Sequence, residues 1–220
     1  MCFEPSARPP APPRTGLAGA TERLTLSAAD GNSIAATLVP TTSERAPGVV
    51  ILPDIRGLHP YYEALAEAFA GAGVHALAID LYGRTAGAEH RGDEFEWQPH
   101  REAARDATMA LDVRAALEEL ERRGVERRFV VGFCFGGRAA YMQGSQPGVA
   151  GVVGFYGGPA RAEEGGSSPI EEARSGRLQA PVLALYGGAD EGITPADQQA
   201  FAEALTAAGT PHETVVYDEA

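Results

Sequence analysis

Val130-Val131-Gly132-Phe133-Cys134-Phe135-Gly136-Gly137-Arg138-Ala139-Ala140 is the stretch from which the rest of the chain is read. An apolar run, a glycine-flanked turn and a helix-prone segment follow one another in eleven residues. The pattern Gly-x-Cys-x-Gly-Gly matches a nucleophile elbow with sulfur in the place usually held by a hydroxyl. Glycine is needed on either side because so tight a turn leaves no room for Cβ atoms, and the tightness lifts the central side chain off the sheet. A helix beginning behind Cys134 aims free N–H groups and its positive dipole end at the sulfur, which favours a thiolate and a developing oxyanion. An isolated cysteine is more often a small core residue. The strand before Cys134 and the glycine pair after it favour the elbow, and the elbow predicts acyl transfer.

The 220 residues fit one domain, and with 44% hydrophobic residues they can bury a full core. A net charge of -12 argues against nucleic acid or an anionic membrane surface as partner. An anionic substrate must therefore be attracted locally. All 18 basic residues are arginine, which excludes a lysine Schiff base and a phosphate loop of the Gly-Lys-Ser/Thr kind. The two cysteines, Cys2 and Cys134, do not make a disulfide framework, so the expected compartment is reducing and cytoplasmic. Residues 1–20, with five prolines by residue 13, read as an extended or disordered lead-in and not as a signal or a membrane span. Residues 21–220 form the domain.

Outward from the elbow, strands and helices alternate. Glu22 to Ala28 and Ser33 to Val39 flank an Asp30-Gly31 turn and predict an antiparallel hairpin. Gly48 to Leu52, Val74 to Ile79, Gly151 to Gly157 and Pro181 to Tyr186 are continuous apolar runs, as in parallel strands buried on both faces. Helical spacing covers Tyr61 to Ala72, His100 to Arg123 and Pro195 to Ala208, while residues 160 to 179 read as loop and His212 to Tyr217 as a last strand. The expected fold is a mostly parallel, doubly wound α/β sheet with an N-terminal hairpin.

In such a sheet ligands bind beyond the carboxyl ends of the strands. Asp54, Arg84, Cys134, Tyr156 and Asp190 each follow an apolar run, so one rim collects them. The backbone N–H groups of Ile55 and Phe135 are the expected oxyanion hole. Asp190 stands where an acid would orient a histidine in the order nucleophile, acid, histidine, although a capping role for a turn aspartate is equally natural.

With these pieces in hand, the chain resembles the dienelactone hydrolases, α/β-hydrolases that open enol-lactones with a cysteine nucleophile. The resemblance rests on Leu-Pro-Asp-Ile-Arg-Gly-Leu (52 to 58), Ile-Asp-Leu-Tyr-Gly-Arg (79 to 84), Gly-Phe-Cys-Phe-Gly-Gly (132 to 137), Gly-Phe-Tyr-Gly (154 to 157) and Gly-Gly-Ala-Asp (187 to 190). It implies an α/β-hydrolase fold, Cys134 as nucleophile and Asp190 as acid partner. It further implies that Arg84 pairs with a substrate carboxylate, with Tyr82 and Tyr156 as further substrate contacts. Asp54 takes the place of an acid, usually glutamate, that touches the resting thiol. The implied substrate is a small ester or lactone, anionic in the family's type, cleaved through a thioester without metal or cofactor.

The family carries its catalytic histidine, and then a final helix, just after the position of Tyr217-Asp218-Glu219-Ala220. The expected histidine is therefore not among the residues read, because His59, His75, His90 and His100 precede the elbow and His212 opens the last strand. A rival reading from another class is a non-catalytic α/β-hydrolase-fold interaction module. A thiol redox protein is disfavoured, since no resolving cysteine lies near Cys134.

Overall fold

The computed structural model describes residues 7–11, 13 and 15–220, so Cys2 and part of the lead-in lie outside the described residues. The hairpin forms as read, with β1 (Glu22–Ser27) antiparallel to β2 (Ser33–Val39). After β3 (Gly48–Leu52), helix α1 (Pro60–Gly71) starts at His59, whose side chain accepts the Tyr61 N–H, and Pro60 fits the first turn because it lacks a donor. Then come β4 (His75–Ile79), α2 (Gly83–Ala86), α3 (Trp97–Ala103), α4 (Asp106–Arg122) and β5 (Arg128–Phe133). The elbow helix α5 (Phe135–Met142), β6 (Val149–Phe155), α6 (Pro169–Arg174), β7 (Val182–Gly187), α7 (Pro195–Ala208) and β8 (His212–Tyr217) complete the order.

The eight strands form one sheet in the order β1-β2-β4-β3-β5-β6-β7-β8. Strands from β4 to β8 in that order pair in parallel, and β1 and β2 add the antiparallel edge. From β3 the winding runs one way to β4, and from its other neighbour β5 it runs outward to β8. The crevice between the carboxyl ends of β3 and β5 is thus the switch point at which such sheets hold ligands. One sheet face is packed by α4, α5, α6 and α7 through residues such as Val113, Leu117, Ala140, Ile170, Phe201 and Leu205. The other is packed by α1 through Tyr62, Leu65 and Ala66 against Val49, Ile51, Val131 and Phe133. Among the described residues no helix is long and apolar enough to cross a membrane.

Two expectations are corrected. The single helix over His100 to Arg123 is two, because Ala104 and Arg105 are extended (ψ 140° and 137°). A continuous helix would send the Asp106 N–H to the Glu102 carbonyl. Here the Asp106 N–H goes to Glu163 Oε2 at 2.8 Å, and the Glu102 carbonyl accepts from Arg105 Nη1 at 2.7 Å. Residues 160 to 179 are not all loop: Ser168 and Glu171 form a reciprocal capping box that starts α6, with Pro169 in its first turn.

The elbow is packed backbone against backbone. A Cβ added at Gly132 would lie 1.9 Å from the Gly136 carbonyl oxygen, and one at Gly136 would lie 2.2 Å from the Pro53 carbonyl oxygen. Neither neighbour is a flexible side-chain tip. Gly136→Ala is expected to lower stability by about 2–3 kcal/mol or more, read as a shift of the urea midpoint. Gly71→Ala, where a Cβ meets nothing within 4 Å, should leave the midpoint unchanged or raise it slightly.

Candidate active site

Cys134 sits between the end of β5 and the first residue of α5 with φ 55° and ψ -114°, a conformation that side-chain-bearing residues rarely adopt. Its neighbours hold it there. The Cys134 N–H donates to the Phe155 carbonyl at 3.0 Å, and its own carbonyl accepts the Arg138 N–H at 3.0 Å. Phe135, as the first residue of α5, has an N–H that no helical carbonyl accepts, and it lies directly beside the sulfur-bearing residue.

A cavity of about 160 Å³ opens over the thiol. Ile55, Cys134, Phe135, Tyr156 and Asp190 line it, so the structure brings together five of the residues singled out in the sequence. The peptide that carries the Ile55 N–H is fixed by a turn in which the Gly57 N–H donates to the Asp54 carbonyl at 3.1 Å. Asp190 follows β7, is half-buried, and accepts the Gly192 N–H on Oδ1 at 2.8 Å.

Three other candidates, Tyr82, Asp54 and Arg84, do not line the cavity. Tyr82 is buried behind the wall: its ring stacks on Phe135 at 6.1 Å between centroids, and its hydroxyl donates to the Ile55 carbonyl at 2.9 Å. It supports Ile55 and Phe135 from behind and does not line the cavity. Asp54 is buried, with its carboxylate forked by Arg56 (2.6 Å at the shortest) and its N–H bonded to the Tyr62 hydroxyl. Arg84 is engaged elsewhere. Its guanidinium is bound to Asp30 and, at 2.7 Å, to Asp112, with the Thr108 carbonyl as a third partner. That cluster ties α2 to the hairpin turn and α4.

The positive charge at the cavity comes instead from Arg101, Arg138 and Arg161. None of them was singled out in the sequence. Arg138 lies one helical turn after Cys134 in the quoted stretch, and that spacing was the signal available. Arg101 falls within the segment read as helix and Arg161 within the stretch read as loop.

No histidine lines the cavity. His59 is buried beside Asp54 (3.9 Å), and burial together with the Arg56 charge lowers its pKa against the opposing pull of Asp54. His75 accepts the Thr41 N–H, His90 pairs with Glu63, His100 bonds the Thr85 hydroxyl and His212 bonds the Thr210 carbonyl. Among the described residues no group of three or more His, Cys, Asp or Glu side chains is placed to hold a metal.

The sheet order and the strained residue between β5 and α5 define an α/β-hydrolase fold, which is shared with a Pyrococcus horikoshii acylaminoacyl peptidase at a TM-score of 0.71 and 16% identity. The sequence profile of the dienelactone hydrolase family matches residues 34–220, and the chain belongs to that family. A Methylorubrum extorquens protein named "Putative carboxymethylenebutenolidase" is 31% identical over 205 residues, 87% of this chain and 67% of that protein. A Bradyrhizobium protein named "Probable 2-oxo-3-(5-oxofuran-2-ylidene)propanoate lactonase" is 28% identical over 81% of this chain and 73% of its own length. The structure of a Klebsiella pneumoniae protein, "Putative Dienelactone Hydrolase", superposes with a TM-score of 0.79 at 26% identity, covering 92% of this chain and 87% of that one. The chain spans about two thirds of the length of the Methylorubrum relative.

The fate of Arg84 generates a prediction. Asp112 is 1% exposed, and burial raises its pKa against the lowering pull of Asn32 and Arg84. Arg84→Met should therefore cost about 1–3 kcal/mol, the penalty of leaving a buried acceptor poorly bonded. A carboxyl whose folded pKa lies above its unfolded value binds more protons when folded, so it destabilises increasingly as pH rises past the ordinary carboxylate range. The deficit of Arg84→Met relative to wild type should accordingly shrink as the pH is lowered from 7 towards 4, measured by urea unfolding at each pH. A deficit that stays constant would show that Asp112 is not the group left exposed to the loss.

Proposed function

We propose that this chain hydrolyses small esters and lactones, including carboxylate-bearing ones, through a thioester on Cys134. The observation that carries the reading is the positive φ of Cys134 at the strand-to-helix elbow, facing a cavity whose walls also hold Ile55, Phe135 and Asp190. The chain's membership of the dienelactone hydrolase family supports the lactone or ester as substrate class.

In the proposed cycle a histidine held by Asp190 takes the thiol proton and the sulfur adds to the carbonyl carbon. The oxygen becomes negative beside the backbone N–H groups of Ile55 and Phe135, which would stabilise it without a mobile side chain. As the carbonyl re-forms, the carbon–oxygen bond breaks and the leaving oxygen takes the proton back from the histidine. Water, deprotonated by the same histidine, then attacks the thioester, and the sulfur leaves to regain its proton.

The histidine is proposed to follow Ala220. The Ala220 carbonyl accepts the Ala189 N–H at 2.9 Å, and a second cavity joins Ala220 to Tyr156, Ala189 and Asp190. A residue one or two positions further along would start within reach of the Asp190 carboxylate. The absence of any of the five histidines from the cavity wall is the one observation that favours the rival reading, a non-catalytic binding module.

Turnover of an activated aryl ester by the protein extended through its next segment decides between the two. Cys134→Ala should lower the rate by about a thousandfold or more while the fold is kept, and replacing the first histidine beyond Ala220 should do the same. Mass spectrometry of a quenched reaction should find the acyl group on Cys134 and not on Cys2. Turnover by the alanine variant within about tenfold of wild type would end the case for cysteine catalysis.

A further inference from the structure

The three arginines at the cavity are not equivalent. Arg138 is spent: both of its terminal nitrogens bond the Asp106 carboxylate at 2.6 Å, and its Nε donates to the Arg161 carbonyl at 2.7 Å. Its charge is cancelled by Asp106, and its task is to hold the backbone of Arg161 against the elbow helix. Among the described residues, neither Arg101 nor Arg161 forms an ion pair with a carboxylate. The guanidinium of Arg101 lies over the Phe135 ring, 4.7 Å from its centroid, and that of Arg161 makes one long bond, 3.4 Å, to the Gly192 carbonyl. A guanidinium offers five donors, so most of theirs remain unspent.

Two uncancelled positive charges at one small cavity are unexpected in a protein with a net charge of -12. Most of the buried or half-buried arginines here have found an acid, as Arg56, Arg84 and Arg91 have, whereas Arg101 is half-buried without one and Arg161 reaches the cavity from an exposed position. The single opposing charge on the cavity wall is Asp190, whose Oδ1 is turned to the Gly192 N–H. The cavity, at about 160 Å³, is smaller than the range usual for drug-sized ligands.

We propose that Arg101 and Arg161 form the subsite for the carboxylate of a small acyl substrate, in place of Arg84. The proposal rests on the reading of Cys134 as the reacting group, because it orients the carboxylate end of the substrate relative to that sulfur. Arg161 approaches from the loop after β6 and Arg101 from α3, so the subsite is built by segments outside the strand ends. Arg138 is a positioning residue for it. Asp106, which pairs with Arg138, stands at the start of α4 just after the helix break.

Alkylation of Cys134 tests the subsite without requiring turnover. Iodoacetate and iodoacetamide carry out the same reaction, in which the sulfur bonds the methylene carbon and iodide leaves, but only iodoacetate has a carboxylate. The ratio of their rates at Cys134, followed by mass spectrometry, should exceed the ratio for glutathione by about tenfold, and rising salt should reduce it. Arg101→Gln and Arg161→Gln should each bring the ratio towards that of glutathione, Arg161→Lys should retain part of the preference, and Arg84→Gln should leave it unchanged. A wild-type ratio no higher than that of glutathione overturns the proposal, as does failure of either reagent to label Cys134. An equal fall in Arg84→Gln also overturns it, since a general field and not a subsite would then be at work. If the preference is found but the extended protein hydrolyses no ester, the catalytic reading fails and the subsite stands.

Discussion

Main chain from β3, β5 and α5 crowds together behind Cys134, and the rest of the site depends on its fitting together. The carbonyl oxygens of Gly136 and Pro53 occupy the volumes where side chains at 132 and 136 would begin. Because main chain meets main chain, the elbow is fixed by β3, β5 and α5 at once and cannot relax by a side-chain rotation. The unfavourable φ at Cys134 is sustained by this over-determination, as strained residues at reacting positions generally are. The same packing sets the distance between the turn after β3 and the start of α5, and so the spacing of the Ile55 and Phe135 N–H groups.

Behind that wall the polar groups are arranged as supports. Tyr82 holds the Ile55 carbonyl and stacks on Phe135. Asp80, wholly buried, accepts from the backbones of Leu58 and Tyr82 and pairs with Arg91 at 2.8 Å, which binds the loop after β3 to the loop after β4. An ion pair so placed adds little to net stability once desolvation is counted, but removing one partner would leave a buried charge, so the arrangement tolerates few alternatives. Burial pushes the Tyr82 hydroxyl far above its ordinary pKa, which keeps it a donor to Ile55 at any physiological pH.

The strands, the hairpin and the elbow were legible because each is written in consecutive residues: continuous apolar runs, an Asp-Gly turn, and Gly-x-Cys-x-Gly-Gly. The rim was legible for the same reason, since Ile55, Cys134, Tyr156 and Asp190 each come within three residues of the end of their own strand. What the sequence did not disclose was pairing between distant segments. Arg84 has the position of a ligand-binding residue, and only the three-dimensional approach of Asp30 and Asp112 shows that it is engaged. The break at Ala104 depends on Glu163, 57 residues beyond Asp106, and nothing in the apolar spacing of residues 100 to 123 marks it. Ser168 and Glu171 are a different case, because their three-residue separation ahead of an apolar residue was in plain view inside a stretch taken as loop for its composition.

Arg138 connects the elbow helix to the start of α4 through Asp106 and to the loop after β6 through the carbonyls of Arg161 and Ser167. Three segments from separate parts of the chain therefore share one guanidinium. Anyone exchanging the 158–168 loop with that of a relative, to alter what the pocket accepts, would have to transfer Arg138 and Asp106 as well. A graft that carried the loop alone would place a foreign main chain against a fork built for this one.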